Sequence, residues 1–184
     1  MVERRLGLED EVQQIFKHKD NGSDFLLSGG AGSGKTFSLV EIINQSLLEN
    51  PTDRIACITY TNAAVNEIEG RIQHANLIVS TIHKFLWDNI KSFQIELKKV
   101  LTELINEKTH KGLILSEHVD SDFFTGKTIQ YKEYVLIKEG IISHDEILIL
   151  ANIMFEKYPK LCRIVQDKFK LILIDEYQDS VTRC

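Results

Sequence analysis

Residues 24–36 read DFLLSGGAGSGKT. A short apolar run opens into a glycine-rich loop. A stretch with Leu39, Ile42, Ile43 and Leu47 at helical spacing follows. The predicted order is therefore strand, loop, helix. The loop, GGAGSGKT at 29–36, matches G-x-x-x-x-G-K-[ST] in full and in the context that pattern requires. Its chemistry is that of a phosphate cradle. Gly29, Gly30, Ala31, Gly32, Ser33 and Gly34 supply backbone N–H groups at a helix N-terminus that already favours anions. Lys35 reaches the β- and γ-phosphates of a nucleoside triphosphate, and the hydroxyl of Thr36 ligates Mg²⁺. A glycine-rich turn with a chance Lys-Thr is the competing reading, and it leaves the flanking strand and helix as coincidence.

Outward from the loop the same alternation continues. RIACITYT (54–61) is a β-branched, buried-type strand. Asn62 is the expected cap of a helix over AAVNEIEGRI, and NLIVST (76–81) is a further strand. Upstream, Leu6, Leu8, Val12, Ile15 and Phe16 predict a helix over 3–18, closed by the turn KDNGSD. This is the grammar of an α/β fold with a parallel sheet and helices on both faces. The style changes between about Phe85 and Gly140. There Ile90, Phe93, Leu97, Leu101, Leu104 and Ile105 predict one long amphipathic helix, followed by a glycine-punctuated stretch. SHDEILILANIMFEKY (143–158) then reads as a helix with a capping box, Ser143 and Glu146. KLILID (170–175) returns to the sheet style. The expected organisation is a nucleotide-binding domain from 1–85 and 141–184, interrupted by a mainly helical insertion at 86–140.

Asp175 and Glu176 follow LILI at the expected carboxyl end of a parallel strand, the ligand edge of such sheets. Asp175 is placed to hold Mg²⁺ and Glu176 to activate an attacking water as general base. Two solvated carboxylates at a strand end are common. The phosphate loop upstream is what favours the catalytic reading.

The bulk numbers narrow the class. Apolar residues make up 43%, charged residues 27%, and the net charge is -5, so bulk positive charge does not attract nucleic acid here. Any such contact needs a local groove. Cys57, Cys162 and Cys184 have no metal-ligand spacing and fit a reducing compartment. With no apolar run of signal-peptide or membrane-span type, the expectation is a cytoplasmic protein without a membrane partner.

Taken together, GGAGSGKT (29–36), ITYTNAAVNEIEGRI (58–72), STIHKF (80–85), SHDEIL (143–148) and IDEYQDS (174–180) resemble, in this order, the first motor domain of UvrD/Rep-like superfamily 1 DNA helicases. DEYQD is the specific part. Many phosphate-loop ATPases carry Asp-Glu, and few continue Tyr-Gln-Asp. The resemblance implies a RecA-like P-loop fold, ATP and Mg²⁺ as cofactors, and single-stranded DNA as partner. It implies that Gln178 senses the γ-phosphate and couples hydrolysis to DNA grip. Thr59, Tyr60, Thr61 and Asn62 fall where that family's second motif meets single-stranded DNA, and Thr81, His83 and Phe85 where the next one does. The segment 86–140 falls where the family has a small 1B-like subdomain. Hydroxyls, amides and rings suit sequence-neutral strand binding, at about 1–3 kcal/mol per stacked base. His83 also reads as a capping or core histidine, Tyr60 as a sheet-edge aromatic, and Trp87 as a helix-packing residue rather than a DNA platform.

Two departures stand out. The family's adenine-reading Gln has two candidates, Gln13 and Gln14, neither cleanly spaced, with Gln14 taken here. Ala63 stands where a Lys or Arg often follows the Thr-Asn pair. The family also hydrolyses ATP between two motor domains, the second supplying arginine fingers worth roughly 10³–10⁵ in rate. No sequence of that kind follows IDEYQDS here. The resemblance thus implies an ATP-dependent helicase of the UvrD/Rep type, present as its N-terminal region and weak alone. DNA repair, recombination, replication restart and defence against foreign DNA are all compatible settings. An ATP- and DNA-binding module completed by a second motor domain or a partner in trans is the alternative. An unrelated phosphate-loop ATPase or small-molecule kinase is a third reading, which DEYQD opposes.

Overall fold

In a computed structural model of the chain, residues 10–24, 35–108 and 110–175 are described. They open with helices α1 (Asp10–Asp20) and α2 (Lys35–Glu49). Strand β1 (Ile55–Thr59), helix α3 (Asn62–Arg71) and strand β2 (Leu77–Thr81) form a β-α-β unit. Helices α4 (Ile82–Ile90) and α5 (Gln94–Glu107) follow, then the two-residue strands β3 (Gln130–Tyr131) and β4 (Ile141–Ile142). Helices α6 (His144–Lys157) and α7 (Pro159–Lys168) lead into strand β5 (Leu171–Ile174).

The chain divides into two compact units. One holds the described residues up to Thr81 and from Phe169 onward, and the other is Ile82–Lys168. The first is α/β. Its strands run parallel in the order β2-β1-β5, with Cys57 opposite both Val79 and Leu173. β1 is central and buried throughout, which suits its run of Ile, Ala, Cys, Ile and Thr. Ile55, Cys57, Val79 and Leu173 share a core with Val12 and Phe16 of α1, Ile42 and Ile43 of α2, and Ile68 of α3. On the opposite face Ala56 and Ile58 are buried, while Ile78, Ile172 and Ile174 keep about 36–43% of their surface exposed.

The second unit is mainly helical. The single helix expected from about Phe85 is two helices. Phe93 leaves helical geometry at φ -92°, ψ 56°, and its N–H closes a tight turn on the Ile90 carbonyl at 2.9 Å. Leu97, Leu101, Leu104 and Ile105 of α5 pack with Ile147, Leu150 and Met154 of α6 and with Phe124 and Ile142. α6 and α7 therefore pack with α4 and α5, so this unit is wider than residues 86–140 and includes two helices that the sequence reading grouped with the nucleotide-binding domain. The segment between α5 and α6 is pinned by side-chain amides. Asn106 bonds both the N–H and the C=O of Val119, at 2.9 and 2.7 Å, and Gln94 does the same for Ile129. No described helix is long and apolar enough to cross a membrane.

Candidate nucleotide and nucleic-acid site

Parallel strands bring their carboxyl ends to one edge, and the register decides which residues meet there. Thr59 lies opposite Thr81, and Ile58 lies opposite Ile174. Asp175 follows directly, half-buried, its N–H donated to the Ile58 carbonyl at 2.8 Å. Thr59, Thr81 and Asp175 thus share the carboxyl edge, the ligand edge of this class of sheet.

α2 reaches the same edge from its other end. Its C-terminus at Glu49 connects through a short turn to the amino end of β1, and its apolar face lies in the core beside Ile55 and Cys57. Fifteen helical residues rise about 22 Å, against about 17 Å for a five-residue strand. The N-terminus of α2 accordingly points toward the carboxyl edge. Lys35 and Thr36 begin the helix there, both half-buried. The first turn of α2 contains no acidic residue. Its positive helix end is not neutralised by the helix's own side chains and suits an incoming anion. The oxygen donors Thr36 and Asp175 are hard ligands of the kind Mg²⁺ takes, so the residues present fit both groups. Gly29, Gly30, Ala31, Gly32, Ser33, Gly34, Glu176 and Gln178 lie outside the described residues. Gln14 is exposed on α1, and Gln13 is half-buried.

The electrostatic imprint of Asp175 is visible on its neighbour. The Cys57 thiol is pushed up from 9.0 to about 12, first by burial and then by the negative charge of Asp175. At neutral pH this holds Cys57 in its protonated, poorly nucleophilic form.

The residues at the carboxyl end of β1 and just after it fall into two classes. The Thr59 side chain is buried, and its hydroxyl donates to the Thr61 carbonyl at 3.0 Å. Thr61 caps α3, its hydroxyl oxygen accepting from the Ala64 N–H at 3.2 Å. The cap is thus Thr61 rather than Asn62, which is the first helical residue. Both types cap well, and only backbone geometry decides between adjacent candidates. Both threonine hydroxyls have structural duties, and Tyr60, Thr61 and Asn62 are exposed at the same edge. Ala63 is exposed beside them.

His83 and Phe85 belong to the helical unit and are buried on α4. The His83 ring meets His144 edge-on at 4.8 Å. Burial and His144 lower the His83 pKa, against an opposing pull from Asp145. His144 meets Tyr131 at 5.2 Å, and Tyr131 meets Trp87 at 6.2 Å. The sequence gives no signal for this row, because its members come from α4, β3 and α6 and meet only in the fold.

Comparison with known proteins bears on the whole chain. The family described as UvrD/REP helicase N-terminal domain matches residues 8–112 and 88–183. Gabija protein GajB of Bacillus cereus (strain VD045) is 32% identical over 173 residues, covering 91% of this chain and 33% of that protein. DNA helicase II of Rickettsia typhi is 27% identical over 235 residues, covering 94% and 35%. ATP-dependent DNA helicase PcrA of Staphylococcus epidermidis is 27% identical over 201 residues, covering 84% and 28%. The chain spans about a third of the length of these curated relatives.

Proposed function

Because the chain belongs to the UvrD/REP helicase N-terminal domain family, we propose that it is the ATP-binding part of a motor that steps along single-stranded DNA. What supports this reading is that Asp175 follows β5 at the carboxyl edge of the sheet, while Lys35 and Thr36 open α2 at the end away from its link to the amino end of β1, with no carboxylate in that first turn. The sheet unit is a RecA-like motor domain. The 1B-like insertion lies within the helical unit.

The loop at 29–34 would wrap the phosphates, and Lys35 would balance the charge of the β- and γ-phosphates. Thr36 and Asp175 would hold magnesium, which when bound neutralises charge developing on the transferred phosphoryl group. Glu176 would take the proton of the attacking water, and Gln178 would report the γ-phosphate to the DNA track. Tyr60 and Asn62, exposed and outside the hydroxyl bonds of Thr59 and Thr61, are the candidates for strand contact among residues 59–62. Gln14 is the candidate for adenine.

In the family a second motor domain closes over the nucleotide. Residues 1–184 tested apart from such a domain would bind Mg-ATP and turn it over slowly. The alternative, a binding module completed in trans, differs from a motor fragment in needing a partner polypeptide for turnover.

The test is a Mg-ATP titration of the wild-type chain and of Lys35→Ala. Charge-assisted hydrogen bonds contribute about 1.5–3 kcal/mol. The variant should therefore bind roughly ten- to a hundredfold more weakly, with its melting temperature unchanged. Chelation of magnesium should weaken wild-type binding as well. Equal ATP affinity for the two proteins would overturn the assignment.

A further inference from the structure

The row of rings in the helical unit does more than fill its core. That core is aliphatic apart from Phe124, and the rings lie at its margin. Trp87 and Tyr131 pack against it in part, His83 is buried, and His144 is exposed. Successive rings meet at 54–66° and 4.8–6.2 Å, so each is held by its neighbour. The backbone beneath is fixed too. The N–H of Gln130 donates to the Gly140 carbonyl and that of Lys132 to the Ile142 carbonyl, both at 2.9 Å. Tyr131 is thus a rigid ring on a two-stranded ribbon, beside the first residue of α6.

We infer that Tyr131 and His144 form a stacking step for the bases of single-stranded DNA, braced from behind by Trp87 and His83. The inference rests on the proposed function. Rigid rings at a solvent margin suit sequence-neutral stacking, since every base offers a π-face. The charges beside the rings set the orientation. Glu133 follows Tyr131 by two residues, and Asp145 follows His144 directly. These carboxylates repel phosphates, so bases face the rings and the backbone faces away. Lys132, exposed between Tyr131 and Glu133, carries its ammonium 5.8 Å from the Tyr134 ring, which keeps 51% of its surface exposed. It can meet a phosphate on the outer side. Trp87 keeps a packing role, in line with its partial burial.

The experiment measures fluorescence anisotropy of a labelled oligothymidylate with the full chain, alongside Mg-ATP affinity and melting temperature. Tyr131→Leu and His144→Ala should each weaken oligonucleotide binding about tenfold, while Tyr131→Phe, which keeps the ring, stays within about twofold. Mg-ATP affinity should not change in any of the three. An oligomer of abasic residues should bind wild type and Tyr131→Leu equally. The salt dependence of the Tyr131→Leu affinity should match wild type, because stacking releases no counterions. If Tyr131→Leu and His144→Ala bind the oligonucleotide as wild type does, the stacking step is refuted and the proposed function stands. If the wild-type chain binds Mg-ATP but no oligonucleotide at all, the strand-binding part of the proposed function falls, and this inference with it. Should Tyr131→Leu fail to fold, His144→Ala at its exposed position decides between the outcomes.

Discussion

The N-termini of α2 and α6 solve the same problem in opposite ways. Any helix N-terminus leaves backbone N–H groups without intrahelical partners and carries a partial positive charge. α6 answers with its own side chains. Ser143 and Glu146 form a capping box, with the Glu146 carboxylate accepting from the Ser143 N–H at 3.0 Å and hydroxyl at 2.5 Å. Asp145 adds a further negative charge in the first turn. α2 begins instead with Lys, Thr, Phe and Ser, and with no carboxylate. One helix end is capped by its own side chains, and the other has no carboxylate of its own in its first turn. Under the proposed function, the contrast separates a helix that holds a unit together from a helix that meets a ligand.

The largest expected effect breaks the closed end. Glu146 is buried, and a Cβ added to Gly112 would come within 1.9 Å of its carboxylate oxygen. Gly112→Val should displace the Glu146 carboxylate and lose the cap. The expected cost is about 1–2 kcal/mol, read as a lowered thermal midpoint. An unchanged midpoint would mean that the cap contributes little.

A smaller effect sharpens the contrast from the other side. Phe37 lies in the first turn of α2 and keeps 53% of its surface exposed. Phe37→Glu gives α2 the kind of carboxylate that α6 already has. Stability should rise by about 0.3–1 kcal/mol through the helix dipole. Mg-ATP affinity should fall about three- to tenfold, because the new charge opposes the phosphates. Opposite signs for folding and binding mark an anion site. If both improve, α2 is an ordinary helix with an imperfect cap.

Much of this was legible before the fold was known. The β-branched strand at Ile55–Thr59 and the Ser143–Glu146 box are local signals, and local chemistry fixes them, while residues 29–34 of the phosphate-loop pattern lie outside the described residues. The division into units was harder to read, because α6 and α7 carry apolar faces that fit either neighbour by period alone. The break at Phe93 was hidden for a similar reason. Phe93 keeps helical spacing with Ile90 and Leu97, and a pattern of apolar positions continues smoothly through a turn. The structural duties of Thr59 and Thr61 depend on backbone geometry at a strand-to-helix junction. The ring row joins residues far apart in sequence, and no short-range pattern encodes it.

The thiol of Cys57 has a practical consequence. In the folded state it is buried and effectively un-ionised, whereas Cys162 is exposed. Between its ordinary value of 9.0 and about 12, the unfolded chain releases this proton and the folded chain retains it, so stability falls as pH climbs through that window. At neutral pH a thiol reagent should modify Cys162 promptly and Cys57 only when the sheet opens. With Cys184 replaced, the slow phase becomes a clock for breathing of the strand next to Asp175, read directly by mass. Slowing of that clock by Mg-ATP would register occupancy of the carboxyl edge without any assay of turnover.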